Sequence, residues 1–179
     1  MTLRDTQRPL KAAYRQEPGK AQLTLTARAS QAPGDALSCS IDIGRAIYQA
    51  GAHAGVGGHG TAACSGDLLL GALAACTQIT VQMVAASMGL KPLRLDVRVE
   101  GDLDLRGTLG IDPGVPVGFQ AIRSTIEVSG ELTDKELDTL RSLTERYCVV
   151  LSTLRDPAET SVHWEVSPPA APLPAGEGT

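Results

Sequence analysis

The sequence predicts an α+β domain, and three observations predict it. One stretch of more than twenty residues carries no charge and is rich in helix formers. Several segments on either side alternate apolar and polar residues, as half-buried strands do. A single amphipathic helix pattern follows them near residue 134. Strands outnumber helices and are joined mostly by hairpins, which is the α+β arrangement.

The chain has 179 residues, enough for one domain with a sizeable core, and we expect that domain over 21–166. Its formal net charge is -4, which gives no attraction to nucleic acid or anionic membranes. Aromatic residues make up only 3%, too few to stack on bases or sugars. The N-terminus lacks the apolar core of a signal peptide. Four cysteines are too few for a disulfide scaffold, so a reducing cytoplasm is the expected compartment.

Residues 1–20 are polar and mixed and read as an extended or frayed arm. Leu23–Arg28 and Leu37–Ile43 alternate and are separated by Pro33-Gly34-Asp35, so they form a hairpin. Arg45–Gly60 is a glycine-rich loop with room for one helical turn at Arg45–Tyr48. Its Gly55–Gly60 fits the spacing of a dinucleotide-binding loop but follows no strong strand and lacks the acid expected about 20 residues on. His53 and His59 in that loop are read as loop polar groups.

Gly66–Leu90 is the central helix, with Ser65 as N-cap, Asp67 in the first turn and Gly89 with Pro92 as its stop. By length alone it could cross a membrane. Its Thr77, Gln78, Thr80, Gln82 and Ser87, its preference for Ala over Leu and its isolation argue for a core helix. Apolar residues lie all round it, so it should be buried on most sides. One small sheet cannot cover them all, and a second subunit is expected to cover the rest.

Leu93–Gly101 alternates strictly and is the cleanest strand; Asp102–Gly118 is a long loop or loose hairpin; Phe119–Val128 is the next strand. Thr133 and Glu136 make a capping box for a helix whose stripe is Leu137, Leu140, Leu143 and Tyr147. It ends near Cys148, and Val149–Leu154 reads as a short further helix. Val162–Val166 alternates as a last strand, and 167–179 is a Pro, Gly and Ala tail expected to be disordered.

Among the cysteines, Cys76 lies mid-helix with Ala72, Leu73, Ile79 and Thr80 as its neighbours. A thiol buried among apolar groups has a raised pKa and is inert; reactivity would need a hydrogen-bonding or cationic partner. Cys148 lies where one helix ends and another begins, and a helix N-terminus favours a thiolate. Cys39 alternates with Ile41 and Ile43 and reads as core. Cys64 precedes the central helix and cannot reach Cys76 across about 18 Å of helix.

Gly66–Cys76 resembles the first cysteine motif of the osmotically inducible protein C (OsmC) and organic hydroperoxide resistance family. Arg146–Leu154 resembles its second, and the order of elements matches from about Ala21 to Val166. The resemblance implies an intertwined homodimer, an antiparallel sheet wrapped around a long buried helix, with active sites at the interface. It implies a peroxidase cycle without metal or haem cofactors. In it Cys76 would be the peroxidatic cysteine for an organic hydroperoxide and Cys148 the resolving one. A dithiol, such as a lipoylated protein, would be the reductant. The family's usual Glu nine or ten residues before the first cysteine is replaced here by Gly66 and Asp67. That makes Asp67 a candidate catalytic acid, and Arg45 or Arg28 a candidate activating cation. Val149 stands where many members have Pro. A redox-silent member that binds a small apolar ligand in the same pocket is the other reading.

Overall fold

A computed structural model describes residues 3–24, 27–31, 38–42, 47–91 and 93–166. In chain order they form α1 (Leu3–Gln16), β1 (Arg28–Gln31), β2 (Ser38–Asp42), β3 (Ile47–Gly51) and α2 (Ser65–Met88). Then come β4 (Arg94–Asp102), α3 (Leu105–Thr108), β5 (Ala121–Ser129), α4 (Asp134–Tyr147) and α5 (Val149–Arg155). The α+β class is as expected. β1, β2 and β3 make one antiparallel sheet, and β4 with β5 makes a second.

Five expectations about the secondary-structure elements fail. Residues 1–20 contain the helix α1, whose Pro9 and scarce apolar residues hid it; its exposed Arg8, Lys11 and Arg15 share one face at helical spacing. The turn expected near Tyr48 is instead β3, held to β2 along its whole length, because backbone pairing to a neighbour outweighs local propensity. The strand expected at Leu23–Arg28 begins only at Arg28, since 22–24 are irregular and 25–26 lie outside the described residues. The loop after β4 contains α3, capped by the Asp104 side chain, which accepts from the Arg106 N–H. Val162–Val166 has no strand partner among the described residues, and Val162, Trp164 and Val166 project into solvent. The expected tail lies outside the described residues.

The rest of the order holds, from α2 through α5. The capping box of α4 is formed as expected: Thr133 Oγ1 accepts from the Glu136 N–H at 3.3 Å and Glu136 accepts from the Thr133 N–H at 2.9 Å. At the start of α2 the cap is Cys64 and not Ser65. Its sulfur accepts from the Asp67 N–H at 3.4 Å and the Asp67 carboxylate accepts from the Cys64 N–H at 2.9 Å. The expected N-cap was thus one residue late, because a thiol can accept a capping hydrogen bond as a hydroxyl does.

α2 is the centre of the packing, touching β4, α4 and α5. Val81, Val84 and Ala85 of α2 close on Leu140 of α4, with Leu95, Ile126 and Leu143 packed around them. Fully burying each large apolar side chain is worth about 1.5–3 kcal/mol, and this cluster anchors α4 to α2. Gln78 adds a bridge from α2 to the sheet, donating to the Leu95 carbonyl at 2.8 Å.

Candidate active site

α2 has two unlike apolar faces. Leu73, Thr77, Val81, Val84 and Ala85 are buried, the last three against Leu140 of α4 and the sheet. Ala72, Ala75, Ile79, Met83 and Ala86 are exposed. At about 100° per residue the two sets point in nearly opposite directions, and Cys76 falls on the seam between them. It is half-buried, whereas Cys148 is fully buried.

Cys148 ends α4 and N-caps α5, which brings it back onto α2. Its N–H donates to the Thr144 carbonyl at 3.0 Å. Its sulfur lies 3.5 Å from Thr77 Oγ1, one residue on from Cys76. Burial works against ionising Cys76, but it is outweighed by hydrogen bonds from the Val150 N–H, the Cys148 thiol, the Val149 N–H and the Thr80 hydroxyl. The net result is a thiol held below the ordinary cysteine value of 9.0. The sequence pointed the N-terminus of α5 at Cys148; in the structure its first N–H groups face Cys76.

A cavity of about 600 Å³ runs along α2 past Leu69, Leu73 and Thr77, and neither cysteine is among its lining residues. Leu69, Leu73, Phe119, Ile122, Leu151 and Leu154 give it apolar walls. Thr77 and Thr144 lie at the end next to Cys148, and the Glu145–Arg155 ion pair, 3.0 Å apart, lines it as well. Thr144 Oγ1 is buried without a hydrogen-bond partner.

The family model described as OsmC-like protein matches residues 58–163, more than half of the chain. The protein belongs to the OsmC-like family. Comparison with curated proteins finds no match. Among solved structures, an OsmC-like protein from Mycoplasma pneumoniae is 16% identical at a TM-score of 0.61, covering 76% of this chain and 90% of its own. An organic hydroperoxide resistance protein OsmC from Legionella pneumophila is 18% identical at a TM-score of 0.54, with 75% and 90% covered. One from Elizabethkingia anophelis, an organic hydroperoxide resistance protein with thiocyanate bound, is 16% identical at 0.53, with 76% and 91% covered. At these identities the likeness is one of fold.

In this OsmC-like chain, Cys76 and Cys148 meet although 72 residues separate them. Asp67 does not join them. Nine residues of helix, about 13.5 Å, separate it from Cys76 along α2, and its carboxylate is engaged by Cys64. The backbone N–H and then the side chain of Cys64 hold that carboxyl below its usual range. His53 Nδ1 accepts from the Gly55 N–H at 3.0 Å and so caps a short turn over Ala54–Val56. Arg45, and the side chains of Arg28 and Cys39, lie outside the described residues.

Sequence reasoning named Thr80 as a helical neighbour of Cys76 without assigning it a role, and it missed three further contributors. The N–H groups of Val149 and Val150 carry no side-chain signal at all. Phe119 had one, as the chain's only phenylalanine.

Proposed function

We propose that this protein reduces organic hydroperoxides with two of its thiols, Cys76 as the peroxidatic and Cys148 as the resolving cysteine. The observation that carries the reading is the convergence on the Cys76 sulfur of the Cys148 thiol and two backbone N–H groups, which favours the thiolate. The Cys76 thiolate attacks the terminal oxygen of the hydroperoxide and the O–O bond breaks. The alkoxide leaves, takes up a proton and becomes the alcohol, and Cys76 is left as a sulfenic acid. The Cys148 thiol displaces its hydroxyl as water and forms the Cys76–Cys148 disulfide. A dithiol reductant, with a lipoylated protein as one candidate, restores both thiols by exchange. No metal or haem takes part.

We read the assembly as a homodimer working in a reducing cytoplasm, with 21–166 as its domain. Ile79 and Met83 line an exposed apolar face on α2, and a second copy laid there would cover it and close the site around Cys76. The unpaired, alternating segment Val162–Val166 suits addition to a sheet edge of that copy. Asp67 in this reading serves Cys76 only indirectly, by fixing the start of α2.

Thiol titration before and after a hydroperoxide pulse tests the activity. Wild type should lose two of its four thiols per chain and Cys76→Ser none. No loss in wild type would refute the peroxidase and leave the apolar pocket as a binding site.

A further inference from the structure

We infer that Phe119 gauges substrate length, closing the far end of the cavity so that it favours compact apolar hydroperoxides over long linear ones. What enters the cavity rests on the peroxidase reading; its shape does not. The Phe119 ring fits where two backbones leave it room. A Cβ placed on Gly101 would lie 2.6 Å from ring atoms Cδ1 and Cε1, and one on Gly66 would lie 3.3 Å from Cζ. Both positions are glycine, so the ring is seated between the end of β4 and the first turn of α2. The backbone beside it is pinned, since the Gln120 N–H donates to the Asp102 carbonyl at 2.9 Å. A side chain held this way does not swing aside to admit a longer ligand.

The polar end of the cavity is the opposite one. Thr77 touches the Cys148 sulfur, and the Thr144 hydroxyl, buried and without a partner, lines the same wall. That hydroxyl has hydrogen-bonding capacity left over, which makes this the polar end of the cavity. Between Thr77 and Leu69, three residues on from Gly66, α2 rises about 12 Å over eight residues. A hydroperoxide with its –OOH at the threonine end therefore points its carbon skeleton along Leu73 and Ile122 toward Phe119. The skeleton that fits is apolar, without a second charge, and no longer than that span.

The test is kcat/KM for a series of primary alkyl hydroperoxides from butyl to dodecyl. Efficiency in wild type should rise with chain length, break, and then fall through a rising KM. Phe119→Ala should move the break to longer chains. Its preference for dodecyl over butyl should grow at least about tenfold, the gain from two further buried methylene groups. Gly101→Ala should also move the break away from its wild-type length, because its new Cβ would collide with the ring and force it to shift without removing it. Phe119→Leu, which keeps most of the bulk, should keep the break near wild type and guards against misfolding of the alanine variant. Calorimetric binding of the matching 1-alkanols to the same proteins reads the length gauge without turnover. If no hydroperoxide is consumed yet the alkanol break moves in Phe119→Ala and Gly101→Ala, the gauge stands and the peroxidase reading falls. A series without a break in wild type, or a break at the same length in all variants, overturns the gauge.

Discussion

The two sides of α2 share a composition and differ in fate. On one side Val81, Val84 and Ala85 are closed off by α4 and the β4–β5 sheet. On the other, Ile79 and Met83 face outward although they are as apolar. The closed side does local work, since it holds α4 and, at its end, delivers Cys148. The open side is unfinished in a single chain. Cys76 lies between them, so the thiol takes its hydrogen-bond partners from its own chain and, on our reading, its remaining cover from a second copy. A helix apolar all round need not be buried by its own fold.

Substitutions can separate these roles. The largest effect is expected from Cys76→Ser on the seam, which removes the nucleophile and should lower kcat/KM for any organic hydroperoxide by about a thousandfold or more. Cys148→Ser should still consume the first equivalent but stop at the sulfenic acid, which a dimedone label followed by mass spectrometry detects. On the closed side, Leu140→Ala should cost about 2–5 kcal/mol in chemical denaturation, because Leu140 is fully buried. On the open side, Ile79→Glu should leave denaturation of the single chain nearly unchanged. It should instead weaken self-association by ~2 kcal/mol, about thirtyfold in Kd, by sedimentation velocity. Equal stability losses on both sides would erase the distinction.

Smaller effects follow from the titrating groups. The Cys76 thiol is depressed, so its alkylation rate should rise with pH through a midpoint below 9.0, and Thr80→Val should move that midpoint upward. Asp67→Ala should cost about 0.5 kcal/mol, at the low end for capping residues because solvent screens an exposed carboxylate. The folded Asp67 carboxyl is depressed, so its contribution is fully present above the unfolded value near 3.8. It is lost as pH falls through the folded value below that. Acid titration of wild type against Asp67→Ala, followed by circular dichroism, checks the sign.

Much of this was legible beforehand, for physical reasons that differ by element. The capping box at Thr133 and the alternation of Leu93–Gly101 are local signals, and both elements formed where expected. β3 depends on pairing with β2, a contact that no window of sequence contains. α1 was hidden by Pro9, which reads as a breaker although the helix runs through it. Within the site, the two cysteines could be named from their motifs. The groups that tune Cys76 could not, because two of them are backbone N–H donors brought in by the fold. Asp67 shows the opposite failure: a side chain at a suggestive spacing is spent on a helix cap.

The central claim is that Cys76 and Cys148 are one redox unit. The direct measurement is a rapid hydroperoxide pulse, quenched by alkylation and read by peptide mapping under non-reducing conditions. The account predicts a peptide pair crosslinked through Cys76 and Cys148, with Cys39 and Cys64 alkylated as free thiols. Oxidation of Cys76 that leaves Cys148 fully alkylated, or a crosslink that runs to Cys64 instead, would contradict it.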